Sequence, residues 1–351
     1  MKKIGILVIA IILIIGIWYF ISISPVSKNS EEKEITIDLG TGANKIAEIL
    51  KENNIIRSKT AFKIYTKLTK NSNFQAGVYY FKDNMKIKDI VEMLQTGILH
   101  DPNQISITYL EGKPFPWLAT KIAEITNNEE EDVYNLLENE EYLDELIEKY
   151  WFITDTIKDK DIYYPLDGYL FPDTYILKNK DVSVKEIFEK MLDQMEDVLE
   201  EYKTEIEGSN FSVSEIFTVA SIIETEAINT EDKKNVASVI YNRLDKNMAI
   251  QSDVTTYYAI KVNMGDRDLY QSEINLSNPY NTRGPNMEGK LPIAPIASVG
   301  RDSIEAAIEP NNTDYLFFVA DKTGKLYFTK TNDEHNRIIK ELKTEGLWFE
   351  Y

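Results

Sequence analysis

The apolar positions of the chain fall into periodic runs, and the longest uninterrupted one comes first. Ile4 to Ile23 carries no charge. As a helix, such a run spans about 30 Å, the thickness of a bilayer's hydrocarbon core. Lys2 and Lys3 precede it, and Trp18, Tyr19 and Phe20 sit near its far end, where an aromatic belt belongs. A cleaved signal peptide would carry a shorter apolar run ending in a small-x-small site, which is not evident here. The pattern predicts an uncleaved membrane anchor over residues 1–24, spanning with residues 4–23. The basic stub lies in the cytoplasm and the bulk of the chain outside it. Residues 25–34 are polar, include Pro25, and read as a linker.

Alternating strand and helix periods come next. Ile35 to Asp38 alternates like a strand, and Ile46, Ala47, Ile49 and Leu50 then mark a helix face. Thr60 to Leu68 predicts a short helix, and Val78 to Phe81 a second strand. Ile87, Ile90, Val91 and Leu94 line another helix. Ile105 to Tyr109 is a third strand, before a helix in which residues 121–125 repeat residues 45–49 letter for letter. These units predict an α+β module over 35–104 and a second small α+β or helical segment over 105–160. The acidic helical stretch Glu129 to Tyr150 reads as a solvated face. Residues 161–351 are mainly helical. Ser183 to Leu199 is amphipathic with a Ser183/Glu186 capping box, and Lys233 to Leu244 carries an apolar stripe. Tyr315 to Ala320 and Leu326 to Thr329 make a hairpin. In the loop Leu166 to Tyr175, the rings of Tyr169, Phe171 and Tyr175 suit either a core or a sugar groove.

One helix carries candidate chemistry. Ser212 to Ala227 opens on a Ser212/Glu215 capping box, continues with an apolar face from Ile216 to Ile223, and ends on Glu224 and Glu226. A carboxyl beside an apolar face tends towards a raised pKa, as a general acid working near neutrality requires. Two residues apart on a helix is about 200°, so the two carboxylates flank the apolar face on opposite sides and only one easily faces a given cleft. Each has an ordinary alternative as a solvated edge residue.

Composition narrows the chemistry. The net charge of −19 argues against nucleic acid. No cysteine is present and only two histidines, His100 and His335, so neither a Cys/His zinc site nor a cysteine nucleophile can be assembled. No G-x-S-x-G, Walker loop or G-x-G-x-x-G occurs. No metal or cofactor is expected, and carboxylates are the candidate catalysts.

The order of motifs then carries a resemblance. LDGYLFPDTY, ASIIETEA, VIYNRL, QSD, NPYNT, a Leu-Pro loop, YLFFVAD and EHN succeed one another after the anchor. In this the chain resembles the endolytic murein transglycosylases, the YceG-like or MltG-like family, over nearly its whole length. The resemblance implies a membrane anchor, LysM-like α+β modules and a mainly helical, lysozyme-like catalytic domain with a β-hairpin. It implies cleavage of the MurNAc–GlcNAc bond within nascent glycan strands to leave 1,6-anhydro ends. Glycan strands would be the substrate, and peptidoglycan synthases or division and elongation proteins candidate partners. The family motif aligns its catalytic glutamate with Glu226, leaving Glu224 in reserve. Tyr241, Asn242, Arg243, Gln251, Ser252, Asp253, Tyr280 and Asn281 become candidates for the sugar groove, each with an ordinary structural alternative. His335 is a candidate for capping or orienting the last helix. The chain departs from the family at Ala227, at Leu291-Pro292-Ile293-Ala294, at Asp167, and in lacking a histidine near Leu326. Two other readings stay open: a hydrolytic muramidase using Glu226 with Asp253, and a non-catalytic wall-binding scaffold.

Overall fold

The computed structural model describes residues 13–28, 31–70, 73–97 and 104–348. The first part of the expected anchor, residues 1–12, and His100 lie outside them. Residues 13–22 are helical, with Leu13, Ile14 and Phe20 exposed. No helix among the described residues is long and apolar enough to cross a membrane.

The chain divides into two compact units, one up to Gln104 and one from Ile105. In the first, β1 (Glu32–Ile37) pairs antiparallel with β2 (Gly77–Lys82), Glu32 opposite Lys82 and Ile37 opposite Gly77. Between the strands run α1 (Ala43–Glu52) and α2 (Lys59–Leu68), and α3 (Ile87–Thr96) comes after them. Strand alternation points Ile35, Ile37, Tyr79 and Phe81 inward, against Ile46, Leu50, Phe62, Ile90 and Leu94. The polar stretch expected as a linker is tied to this unit. Val26 and Ser27 donate their N–H groups to the Asp83 carbonyl at 3.0 and 3.1 Å. Arg57 donates to the carbonyls of Pro25 and Val26 at 2.8 and 2.9 Å. Charged side chains did not keep Glu32 to Glu34 out of β1, because alternate positions of a two-stranded sheet face water.

The second unit opens with β3 (Ile105–Thr108) and the helices α4 (Phe115–Ile125), α5 (Glu130–Leu137) and α6 (Glu140–Lys149). β3 pairs antiparallel with β4 (Thr174–Leu177), Ile105 opposite Leu177. Residues 105–160, expected as a separate segment, therefore share one core with the remainder of the unit. The acidic helices α5 and α6 bury Val133, Leu137, Tyr142, Leu143 and Leu146 and leave their carboxylates outside. Then come α7 (Val184–Leu199), the short α8 (Lys203–Glu207), α9 (Val213–Glu226), α10 (Thr230–Asp245), α11 (Asp253–Ala259), the single turn α12 (Gln271–Ile274) and α13 (Arg301–Ile308). The hairpin β5 (Phe317–Ala320) and β6 (Leu326–Thr329) precedes the last helix, α14 (Asn332–Thr344).

The pivot of this unit is α9. Its capping box forms as expected, Ser212 Oγ accepting from Glu215 N at 3.3 Å and Glu215 Oε2 accepting from Ser212 N at 2.8 Å. Burial exceeds the one face expected: all eight residues from Ile216 to Ile223 are buried. The helix threads the middle of the unit, as an element apolar nearly all round must. Its two polar members are satisfied locally, Thr218 Oγ1 donating to Ser214 O and Ser221 Oγ to Thr218 O, each at 2.8 Å. Ser221 Oγ also accepts from Ile296 N at 3.0 Å, which pins the Leu-Pro loop onto α9.

The rings of Tyr169, Phe171 and Tyr175 are core, not groove. The Tyr169 and Phe217 centroids lie 5.0 Å apart, edge to face. Gly168 has φ +83°, and a Cβ there would run into Pro295, so only glycine fits the turn. Its neighbour Asp167 is 2% exposed. Oδ2 of Asp167 accepts from Phe115 N at 3.2 Å and Tyr258 Oη at 2.8 Å, while Oδ1 accepts no hydrogen bond from the described residues. Burial pushes this carboxyl from the usual 3.8 up to about 7, against the pull of those hydrogen bonds.

The folded chain therefore holds the Asp167 proton more tightly than the unfolded chain. The stability this group contributes is present below about pH 4 and is lost as pH rises towards 7. Asp167→Asn cannot titrate. In denaturant unfolding across pH, the variant should gain on the wild type between about pH 4 and 7, and the difference should be flat above that range.

Candidate active site

The end of α9 separates its two carboxylates as the helical wheel requires. Glu224 turns towards α10 and α13. Its Oε1 pairs with Lys233 Nζ at 3.1 Å, and its Oε2 accepts from Gly300 N, at the start of α13, at 3.0 Å. The Glu224 and Lys233 side chains are only 7% and 5% exposed. Both oxygens of Glu224 are thus engaged inside a buried pair, and a proton donor held this way has nowhere to present its proton.

Glu226, the last residue of α9, faces the other way. Its carboxyl is half-buried, and Oε1 accepts from Ser252 Oγ at 2.6 Å. Burial raises its pKa above the usual 4.5; the Ser252 hydrogen bond pulls the other way, the Asp253 charge adds to the rise and Arg283 opposes it. Ser252 is held by its backbone, its N–H donating to Thr282 Oγ1 at 3.0 Å and its carbonyl accepting from Thr255 Oγ1 at 2.7 Å. Gln251 reaches this turn with φ +57° and stays exposed. Asp253, the first residue of α11, forms an ion pair with Arg283 and is 54% exposed. Sequence reading thus brought Glu226, Gln251, Ser252 and Asp253 to one place but missed Arg283, which sits two residues beyond Asn281 and carried no motif signal.

The remaining groove candidates frame this site without lining it. Tyr241 Oη donates to Ala307 O at 2.7 Å. Asn242 Nδ2 donates to the carbonyls of Thr313 and Tyr315 at 2.9 and 3.0 Å. Arg243 is 7% exposed and donates to the carbonyls of Leu316, Ala249 and Ile250 at 2.6, 3.0 and 2.7 Å. Tyr280 and Asn281 are both 0% exposed. Tyr280 Oη accepts from Tyr163 N, while Asn281 Nδ2 gathers the carbonyls of Glu273, Ile274 and Leu276. Amide, phenol and guanidinium groups suited to sugars are equally suited to the backbone, and here they bind backbone groups, mostly carbonyls, while Tyr280 holds the Tyr163 N–H. His335 does not cap α14, since Thr331 and Glu334 form that capping box; its ring lies 5.5 Å from Phe317.

A cleft of about 590 Å³ opens at the end of α9, and Glu226, Ser252 and Asp253 adjoin its lining without forming part of it. Thr225, the residue before Glu226, and Val254, the residue after Asp253, both line it. Its aromatic walls are Trp117 from α4, Tyr163 and Tyr164 from the loop after α6, and Tyr257 and Tyr258 from α11. None of these rings was a sequence candidate, because they are spread over about 140 residues. The loop Leu110 to Lys113 closes one side, Gly112 N donating to Ser298 O at 3.1 Å and Ser298 N to Lys113 O at 3.0 Å. The arrangement is a half-buried, raised-pKa carboxyl with one hydroxyl donor, beside an aromatic trough, and it suits proton donation to a bound carbohydrate.

The sequence profile of the YceG-like family matches residues 35–341. The chain belongs to the YceG-like family. Among its relatives is a Bacillus subtilis (strain 168) protein named endolytic murein transglycosylase, 38% identical over 317 residues, or 90% of this chain and 86% of that one. A protein of the same name from Streptococcus pneumoniae serotype 2 (strain D39 / NCTC 7466) is 29% identical over 91% of this chain, which spans 60% of the longer relative. The crystal structure of a YceG-like protein from Listeria monocytogenes superposes with a TM-score of 0.62 at 33% identity, over 88% of this chain and all of that one.

Two isosteric variants should separate the two glutamates of this YceG-like chain. Glu224→Gln strands Lys233 in a buried site and should cost about 3–5 kcal/mol in denaturant unfolding. Glu226→Gln removes a carboxyl whose charged form the fold disfavours. The variant should be at least as stable as the wild type at neutral pH, with any gain fading as pH falls to the ordinary glutamate range, where the wild type is protonated in both states.

Proposed function

We propose that the chain is an endolytic peptidoglycan lytic transglycosylase whose general acid, and then base, is Glu226. The observation that carries the reading is the desolvated Glu226 carboxyl with Ser252 Oγ at 2.6 Å, beside an aromatic cleft. Its relatives' name, endolytic murein transglycosylase, supports the substrate and the reaction.

Protonated Glu226 donates to the glycosidic oxygen as the bond from C1 of N-acetylmuramic acid breaks. The resulting carboxylate, steadied by Ser252, takes the proton of the C6 hydroxyl of the same sugar. O6 closes on C1 and leaves a 1,6-anhydro end. One carboxyl suffices because the nucleophile belongs to the substrate. A hydrolase would ordinarily need a second free carboxylate to serve as nucleophile or to activate water. Asp253, the nearest candidate, is engaged by Arg283, and this favours the transglycosylase over the hydrolytic alternative.

The cellular setting rests on the same reading. The apolar run of residues 4–23 anchors the chain with its bulk outside the cytoplasm, where murein lies. The strand–helix–helix–strand order of the first unit supports a LysM-like module. Synthases and division or elongation proteins are candidate partners through the anchor's location at the membrane.

Uncrosslinked glycan strands incubated with the full chain should give internal cuts ending in 1,6-anhydro sugars by mass spectrometry, and Glu226→Gln should lower the rate roughly a thousandfold. Reducing ends would mean hydrolysis and bring Asp253 into the reaction. No cleavage by verified folded protein that binds the strands would favour a scaffold. Ser252→Ala removes a hydrogen bond that favours the ionised form, so the Glu226 pKa rises further and the alkaline limb of the rate profile moves to higher pH.

A further inference from the structure

The cleft beside Glu226 has a charge character opposite to that of the protein. The chain carries 58 acidic residues and a net charge of −19. Yet no Asp or Glu is among the residues lining the cleft, while Lys113 and Lys261 both are. Neither lysine ammonium has a hydrogen-bond or ion-pair partner among the described residues, and no carboxylate in the cleft lining offsets either charge. Lys261 is also aimed. It follows the C-cap of α11 with φ +55°, locked by Lys261 N donating to Tyr258 O at 3.0 Å and Val262 N to Tyr257 O at 3.1 Å. Its Nζ then sits 4.4 Å from the Tyr163 ring centroid and 5.5 Å from that of Tyr164, which holds the cation over the aromatic wall. Asp167, which accepts from Tyr258 Oη of that wall, is itself buried.

A neutral sugar chain would need the aromatic surfaces and hydrogen-bonding groups of such a trough but not two unpaired cations. Murein supplies the missing charge, because alternate sugars bear a peptide stem with free carboxylates. We propose that this cleft is the subsite for a stem-bearing sugar, with its ring against Trp117 and a stem carboxylate received by Lys261 and Lys113. The assignment rests on the murein reading above. It makes the enzyme selective for strands that still carry their peptides, through a charge-assisted contact remote from the bond that breaks.

The test is made on the inactive full-length Glu226→Gln chain, so that binding is read without cleavage. Calorimetry would compare stem-bearing strands with strands stripped of peptide by an amidase. Stem-bearing strands should bind about tenfold tighter, the scale of one charge-assisted hydrogen bond. Adding Lys261→Gln should bring the ratio towards one, and Lys261→Arg should keep it above that of the Gln variant. Equal affinity for the two strands overturns the proposal, as does Lys261→Gln weakening both equally. Displacement of strands by inorganic pyrophosphate but not by free stem peptide also overturns it, and points to the lipid-linked strand end. Strands that bind selectively but are never cut by the wild type would sink the catalytic reading alone.

Discussion

The site depends on the desolvation of one carboxyl at the end of one enclosed helix. Because Ile216 to Ile223 are buried on every side, α9 cannot rotate or slide without opening the core, and its last turn inherits that rigidity. Glu226 therefore emerges at a fixed point with little water around it. Desolvation favours its proton, while Ser252 supplies the one strong donor that keeps the ionised form accessible. An acid that must become a base within one turnover needs both influences. With burial alone it would hold its proton too tightly, and with full solvation it would have none to give near neutrality.

The surrounding groups hold that point in place. Glu224 closes α9 onto α10 and α13 through Lys233 and Gly300. Thr282 and Thr255 fix the turn that carries Ser252, and Asn281 holds the neighbouring loop through the Leu276 carbonyl. Arg243 and Asn242 gather the carbonyls that lead into the hairpin. These groups sit in the same short motifs as the chemistry, and they explain why the motifs read as one constellation. A buried polar group with several backbone acceptors is costly to replace, so it positions neighbouring chemistry as reliably as a packed ring does.

The α+β class, the Ser212/Glu215 capping box and the opposed directions of Glu224 and Glu226 were legible in the sequence, because each arises from local pattern, whereas of the Ser183/Glu186 box only the bond from Glu186 N to Ser183 Oγ forms. The division of labour within VIYNRL and NPYNT was not, since an amide that would bind a sugar and one that binds a carbonyl are the same residue in the sequence. The helix α13 was missed because it has only eight residues, and its start is marked by Gly300, whose N–H serves Glu224. The cleft was missed for a different reason. Trp117, Tyr163 and Tyr257 come from separate elements and meet only after β3 pairs with β4 and the loop at Ser298 docks on Leu110 to Lys113. Burial of the rings in LDGYLFPDTY was a choice between two uses of the same letters, which tertiary packing decided.

The central claim is that the fold itself keeps Glu226 protonated beyond the ordinary glutamate range. Carbon-13 NMR of side-chain carboxyls across pH tests it directly, with Glu226→Gln assigning the signal and Asp167→Asn and Glu111→Gln identifying the other two carboxyls that burial raises. The account predicts a glutamate signal, absent in Glu226→Gln and present in Glu111→Gln, that titrates above the usual 4.5. A Glu226 signal that titrates at or below that value would contradict it and leave the site without its acid.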